Sequence, residues 1–111
     1  AGAGAGNAAL AAKSDPLDDA RKAFNNCLID EHNTAIETNM PVSDFNKQAQ
    51  EACPEAKQAY LDIMIKSERE YGSSQSEAAE YANEEAQMIV DYITRTYSLN
   101  AEGHGRMEHE R

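Results

Sequence analysis

At 111 residues the chain has the size of one domain. Alanine supplies 19 of its residues, as many as Val, Ile, Leu, Met and Phe together, and Trp is absent, so the core is thin for the length. A net charge of −10 argues against nucleic-acid phosphates and anionic membrane surfaces as partners. No apolar run approaches the roughly 18 residues of a membrane-spanning helix, which excludes insertion.

The first 14 residues, AGAGAGNAALAAKS, have nothing to bury and read as a flexible Ala/Gly-rich tail. Ser14-Asp15-Pro16 then supplies a capping side chain followed by Pro in the first helical turn, and Asp18 and Asp19 suit the positive end of a helix dipole. This first helix is expected over 15–39. Leu17, Ala20, Phe24, Cys27, Leu28 and Ala35 share one arc, with Ile29 and Ile36 at its margin. A second helix is expected over 43–71, with Phe45, Ala49, Ala52, Cys53, Ala56, Tyr60, Ile63 and Met64 on its inner face. Pro54 interrupts it, and either a kink or a break into two helices satisfies the missing N–H. A third helix over 74–98 opens with the capping-box spacing Ser74 to Glu77 and carries Ala78, Ala82, Ala86, Ile89, Ile93 and Tyr97 inward. Residues 100–111 are charged and aperiodic and read as a second flexible tail. The expected architecture is an all-α, up-down-up three-helix bundle over 15–99.

The two cysteines fit that arrangement. In an antiparallel pair joined by a short loop, facing residues have numbers that sum to a constant. The midpoint of Cys27 and Cys53 falls on residue 40, at the expected Met40–Pro41 turn. Both thiols should therefore stand level, about 20 Å from the turn, and form a disulfide. Its loop should stabilise the fold by roughly 3–4 kcal/mol in the chain-entropy account. Two buried free thiols are the alternative. Neither cysteine has a Cys or His neighbour at helical spacing, which argues against zinc. A disulfide points to an oxidising compartment, so the expectation is a periplasmic or secreted protein whose signal peptide has been removed.

Cys53 followed by Glu55, a run ending in Tyr71-Gly72, and then SSQSEAAEYANEEAQMIVDYITRTYS resembles a group of uncharacterised small exported two-cysteine helical proteins of alphaproteobacteria. The resemblance spans roughly Phe24 to Tyr97. It implies export and the disulfide and brings no activity with it.

Polar residues on apolar arcs are the remaining signal. On the expected register Arg21 stands near Glu85 and Glu31 near Tyr97. These four are an ion pair and a hydrogen bond along the seam, or the lining of a small polar pocket between the first and third helices, or, if the register slips by a residue or two, simply exposed. Tyr81, Met88 and Tyr92 form a second stripe on the third helix, beside an acidic row of Glu77, Glu80, Glu84 and Asp91. Leu61 and Ile65 are an i,i+4 pair on the far side of the second helix and a candidate patch for a partner or a second copy. His104 and His109 are weak candidates for a transition metal in a solvated tail. No nucleophile triad, phosphate loop or close carboxylate pair is legible, so neither catalysis nor a cofactor is expected. The reading is a non-catalytic acidic module for protein–protein interaction, self-association or a structural role in the cell envelope. A small-ligand or divalent-metal binder is the alternative.

Overall fold

A computed structural model describes residues 15–111, so the tail expected over 1–14 lies outside the described residues. Four α-helices and no strand occur among them: α1 (Pro16–Glu37), α2 (Val42–Glu51), α3 (Pro54–Glu70) and α4 (Gln75–Asn100). The three-helix expectation is corrected at Pro54. A continuous helix would need the residue-54 amide to donate to the Gln50 carbonyl, and proline has no such proton and clashes there. The chain leaves α2 at an extended Ala52, passes through Cys53 in the left-handed region (φ 55°), and restarts at Pro54 as the first residue of α3. Pro54 thus breaks the expected second helix into two. Both pieces pack against α1 and α4.

Each helix is bounded by local chemistry. The Asp15 side chain accepts from the Leu17 amide at 2.9 Å and caps α1, and Ser74 with Glu77 closes a reciprocal capping box on α4. At its other end α1 turns through Asn39 (φ 54°). The Asn39 amide donates to Ile36 and the Met40 amide to Ala35, the paired bonds of a Schellman turn. Gly72 (φ 105°) does the same after α3, with Gly72 donating to Arg69 and Ser73 to Glu68. Glycine suits that position because a side chain there is strained.

Phe24, Leu28, Ile29, Phe45, Tyr60, Met64, Val90, Ile93 and Tyr97 form one continuous core. Burying each large side chain contributes about 1.5–3 kcal/mol before entropy is subtracted. The Cys27–Cys53 disulfide joins the middle of α1 to the α2–α3 break, with Cα atoms 6.1 Å apart. The level-register argument therefore locates the pair correctly even though the second helix is broken. No described helix is long and apolar enough to cross a membrane.

Residues 101–111, read from the sequence as a flexible tail, are laid back along α1. Asn33 clamps the Met107 backbone twice, donating to its carbonyl and accepting from its amide, both at 2.9 Å. Asn26 does the same for Glu110 at 2.9 and 2.7 Å. Arg106 pairs with Glu37, His109 with Asp30, and Glu110 with Arg21, so the strap follows α1 from its C-terminal end almost to its first turn. Met107 packs on the core, the one apolar anchor of the strap that does so beside Ala101.

Candidate functional site

At the N-terminal ends of α1 and α4, a cleft of about 260 Å³ opens between α1, α3 and α4. Leu17 and Met64 supply apolar wall, and Tyr60 and Tyr81 supply aromatic wall. Arg21, Glu68 and Glu85 line it with charge. Arg21 and Glu85 therefore do share one inter-helix space, as their positions on the apolar arcs imply, but they form no ion pair. The four hydrogen bonds of the Arg21 guanidinium go elsewhere: two to Glu110 and two to Asp18. The sequence register runs along helices alone and takes no account of a C-terminal strap that returns a carboxylate to α1. These partners hold the Arg21 pKa above its ordinary value, and the same hydrogen bonds hold Glu110 and Asp18 below theirs.

Glu85 takes a different partner. The Tyr81 hydroxyl one turn before it donates to its carboxylate at 3.2 Å. Among the described residues neither Glu85 nor Glu68 lies in a salt bridge. Glu85 is the main cause of the raised Tyr81 pKa, because its negative charge opposes a phenolate. Tyr60 is only 5% exposed, and burial followed by the Glu85 charge raises its pKa too. Its hydroxyl makes no hydrogen bond within the described residues. No fully buried side-chain oxygen or nitrogen there lacks a partner, so this hydroxyl retains access to the cleft.

Glu31 and Tyr97 are not brought together. Glu31 accepts from Gln48 of α2 at 2.9 Å. The Tyr97 hydroxyl points at two carbonyls of the α1 Schellman turn, Ala35 at 3.2 Å and Met40 at 2.5 Å, and shares its proton between them. Tyr97 thus meets α1 about one helical turn beyond the level that the sequence register assigns.

Beside Tyr97 lies a residue that helical projection puts at the edge of the arc. His32 is fully buried, edge-on to Phe45 and Tyr97, which stack on each other at 4.3 Å. Its Nδ1 lies 2.9 Å from Asn33 Oδ1 and its Nε2 lies 3.2 Å from Asn100 Nδ2. One nitrogen donates and the other accepts, which is the neutral imidazole. Burial lowers the pKa from 6.5, with Arg106 adding to the effect and the Asn33 bond opposing it.

Leu61 and Ile65 are half-buried and pack against the core. The apolar surface instead collects on α4. Of the five exposed large hydrophobic side chains, Tyr81, Met88, Tyr92 and Leu99 follow one another along the outer face of that helix. Leu99 extends the stripe past the three residues legible in sequence. His109 is engaged by Asp30 at 2.6 Å, and His104 sits exposed in a left-handed turn. Among the described residues no group of three or more His, Cys, Asp or Glu side chains is arranged to hold a metal. Comparison with family models, curated proteins and solved structures returned no match.

Proposed function

We propose that the protein is a non-catalytic interaction module of an oxidising compartment, the periplasm or the cell exterior, that docks a basic helical segment of a protein partner on the outer face of α4. The observation that carries this reading is the concentration of exposed apolar surface there: Met88 is 64%, Tyr92 51% and Leu99 80% exposed, on a helix whose opposite face is wholly buried. Spacings of seven, four and seven residues from Tyr81 to Leu99 keep these side chains within one narrow stripe, the pattern that a partner helix reads. Glu77, Glu84 and Asp91 flank it on one side, and the chain as a whole carries −10, so charge favours a basic partner over a second copy. The Cys27–Cys53 disulfide supports the compartment. The resemblance to small exported two-cysteine proteins points the same way.

The experiment is affinity capture from the producing cells with wild type and with the double variant Met88→Asp/Tyr92→Asp, followed by titration of the captured protein in purified form. Wild type should bind at least about tenfold, or 1.4 kcal/mol, more tightly than the double variant. Equal affinity for both, with the partner lost instead on Leu61→Asp/Ile65→Asp, would move the interface to α3. A wild-type protein that light scattering shows to be a stable dimer, made monomeric by Met88→Asp/Tyr92→Asp, would replace the basic partner with a second copy.

A further inference from the structure

The cleft at the N-terminal ends of α1 and α4 shares Tyr81 with the outer stripe of α4 but contains neither Met88 nor Tyr92, and its chemistry is that of a small-molecule site. Its one basic side chain, Arg21, is already neutralised by Glu110 and Asp18, so the site offers nothing to an anion. What it presents are three carboxylates without a cationic partner among the described residues, Glu68, Glu85 and Asp15 (the last occupied in capping α1), and the rings of Tyr60 and Tyr81. The second observation is the Tyr60 hydroxyl. On a side chain more than nine-tenths buried, it is left without a hydrogen bond, beside the space that the cleft provides. The hydroxyl itself stays open at the cleft wall, so no protein group competes for it and a ligand entering the cleft can take its hydrogen bond. Carboxylates combined with aromatic faces in a partly desolvated pocket select an organic cation. A volume of about 260 Å³ lies below the range of drug-sized pockets and fits a compact metabolite.

We infer that this cleft binds a compact organic ammonium ion, with Glu85 and Glu68 opposing its charge, Tyr60 and Tyr81 facing its alkyl shell, and the Tyr60 hydroxyl taking its hydrogen-bonding arm. Amino alcohols combine the cationic head with such an arm. A bare metal cation does not use the aromatic walls, and a neutral alcohol does not use the carboxylates.

The test is a calorimetric and ¹⁵N-correlation NMR titration of the full chain with ethanolamine and choline, alongside the neutral isostere 3,3-dimethylbutan-1-ol and Ca²⁺. At least one of the two ammonium probes should saturate, with amide shifts confined to the first turns of α1 and α4 and the last turns of α3. The neutral isostere should bind at least about tenfold more weakly. Glu85→Gln and Glu68→Gln should each weaken the ammonium probe about tenfold, and Glu84→Gln on the outer face of α4 should leave it unchanged. Gln at position 85 keeps the bond from Tyr81, and the Glu68 side chain makes no hydrogen bond or ion pair among the described residues, so both variants should remain folded, which thermal unfolding checks. Tyr60→Phe should weaken choline and ethanolamine several-fold without a loss of stability. Four outcomes would overturn the inference: no saturation by either ammonium probe, equal binding of the neutral isostere, Ca²⁺ binding that the same Gln variants abolish while ammonium probes stay silent, or loss equal in Glu84→Gln and Glu85→Gln. None of these outcomes bears on the Met88/Tyr92 surface, so this inference and the proposed function fail separately.

Discussion

The two ends of the α1–α4 pair are built from the same kind of residue and finished differently. At the C-terminal ends, α4 turns Val90, Ile93 and Tyr97 inward, and the strap of residues 101–111 crosses α1. Every polar atom drawn in there is answered: Tyr97 by two carbonyls, and His32 by Asn33 and Asn100. At the N-terminal ends, α4 turns only Ala78, Ala82 and Ala86 inward. Beside these small residues the α4 wall of the cleft is made by Tyr81 and Glu85, and one tyrosine hydroxyl there is unanswered. A sealed end and an open one thus share one pair of helices. Sealing suits stability and openness suits binding, and the chain divides the two between its ends.

Substitutions at the two ends should differ in their effect. The largest expected effect is Phe45→Ala, which removes half of the Phe45–Tyr97 stack at the sealed end and should cost about 3–5 kcal/mol in denaturant unfolding. Leu17→Ala at the half-exposed rim of the cleft should cost well under half of that. Comparable losses at the two ends would show that the cleft end is packed as tightly as the other.

Next comes one chemical change made at both ends. Tyr97→Phe strips a hydroxyl from two carbonyls of the α1 turn and should cost about 1–3 kcal/mol, because the Met40 carbonyl is left unpaired while Ala35 keeps only its bond from the Met40 amide and a long one from Thr38. Tyr60→Phe removes a hydroxyl with no partner and should stay within about 0.5 kcal/mol of wild type. Equal losses would sink the claim that only one end is satisfied internally.

The smallest effect concerns pH. His32 is neutral when folded and has its pKa lowered by burial, so the unfolded chain binds the extra proton more readily. Its contribution to stability is complete above the unfolded value of 6.5 and is lost as pH falls from there through the lower folded pKa. His32→Gln should flatten the slope of stability against pH just below 6.5, while leaving intact the more acidic transition in which Asp18 and Glu110 lose their hold on Arg21. A slope unchanged in His32→Gln would mean that other groups set the acid limit.

The sequence was a good guide to anything with a period or a cap. Helix starts at Asp15 and Ser74, the turn at Met40–Pro41 and the inward faces of Phe24, Phe45 and Ala82 follow from local rules, and so does the disulfide, because its register depends on a turn that Asn39 closes locally. The strap was illegible because it is held by Asn26 and Asn33 gripping backbone atoms, an interaction with no period and one substantial apolar anchor. Arg21 and Glu85 were recognisable as neighbours but not as non-partners, since the competing carboxylate, Glu110, lies 89 residues away from Arg21 in sequence.

Local rules therefore account for four features: an all-helical chain, its caps, its staple and the faces that helices must bury. Each of these is set by residues a few positions apart or, for the staple, by a turn that fixes register. Long-range packing is what makes Pro54 end a helix rather than bend it, returns the last eleven residues along α1, and seals one end of the molecule while the other holds a cleft. Those outcomes depend on which groups compete for the same hydrogen bond and on how much volume distant side chains leave behind. Neither quantity is written in any local stretch of the chain.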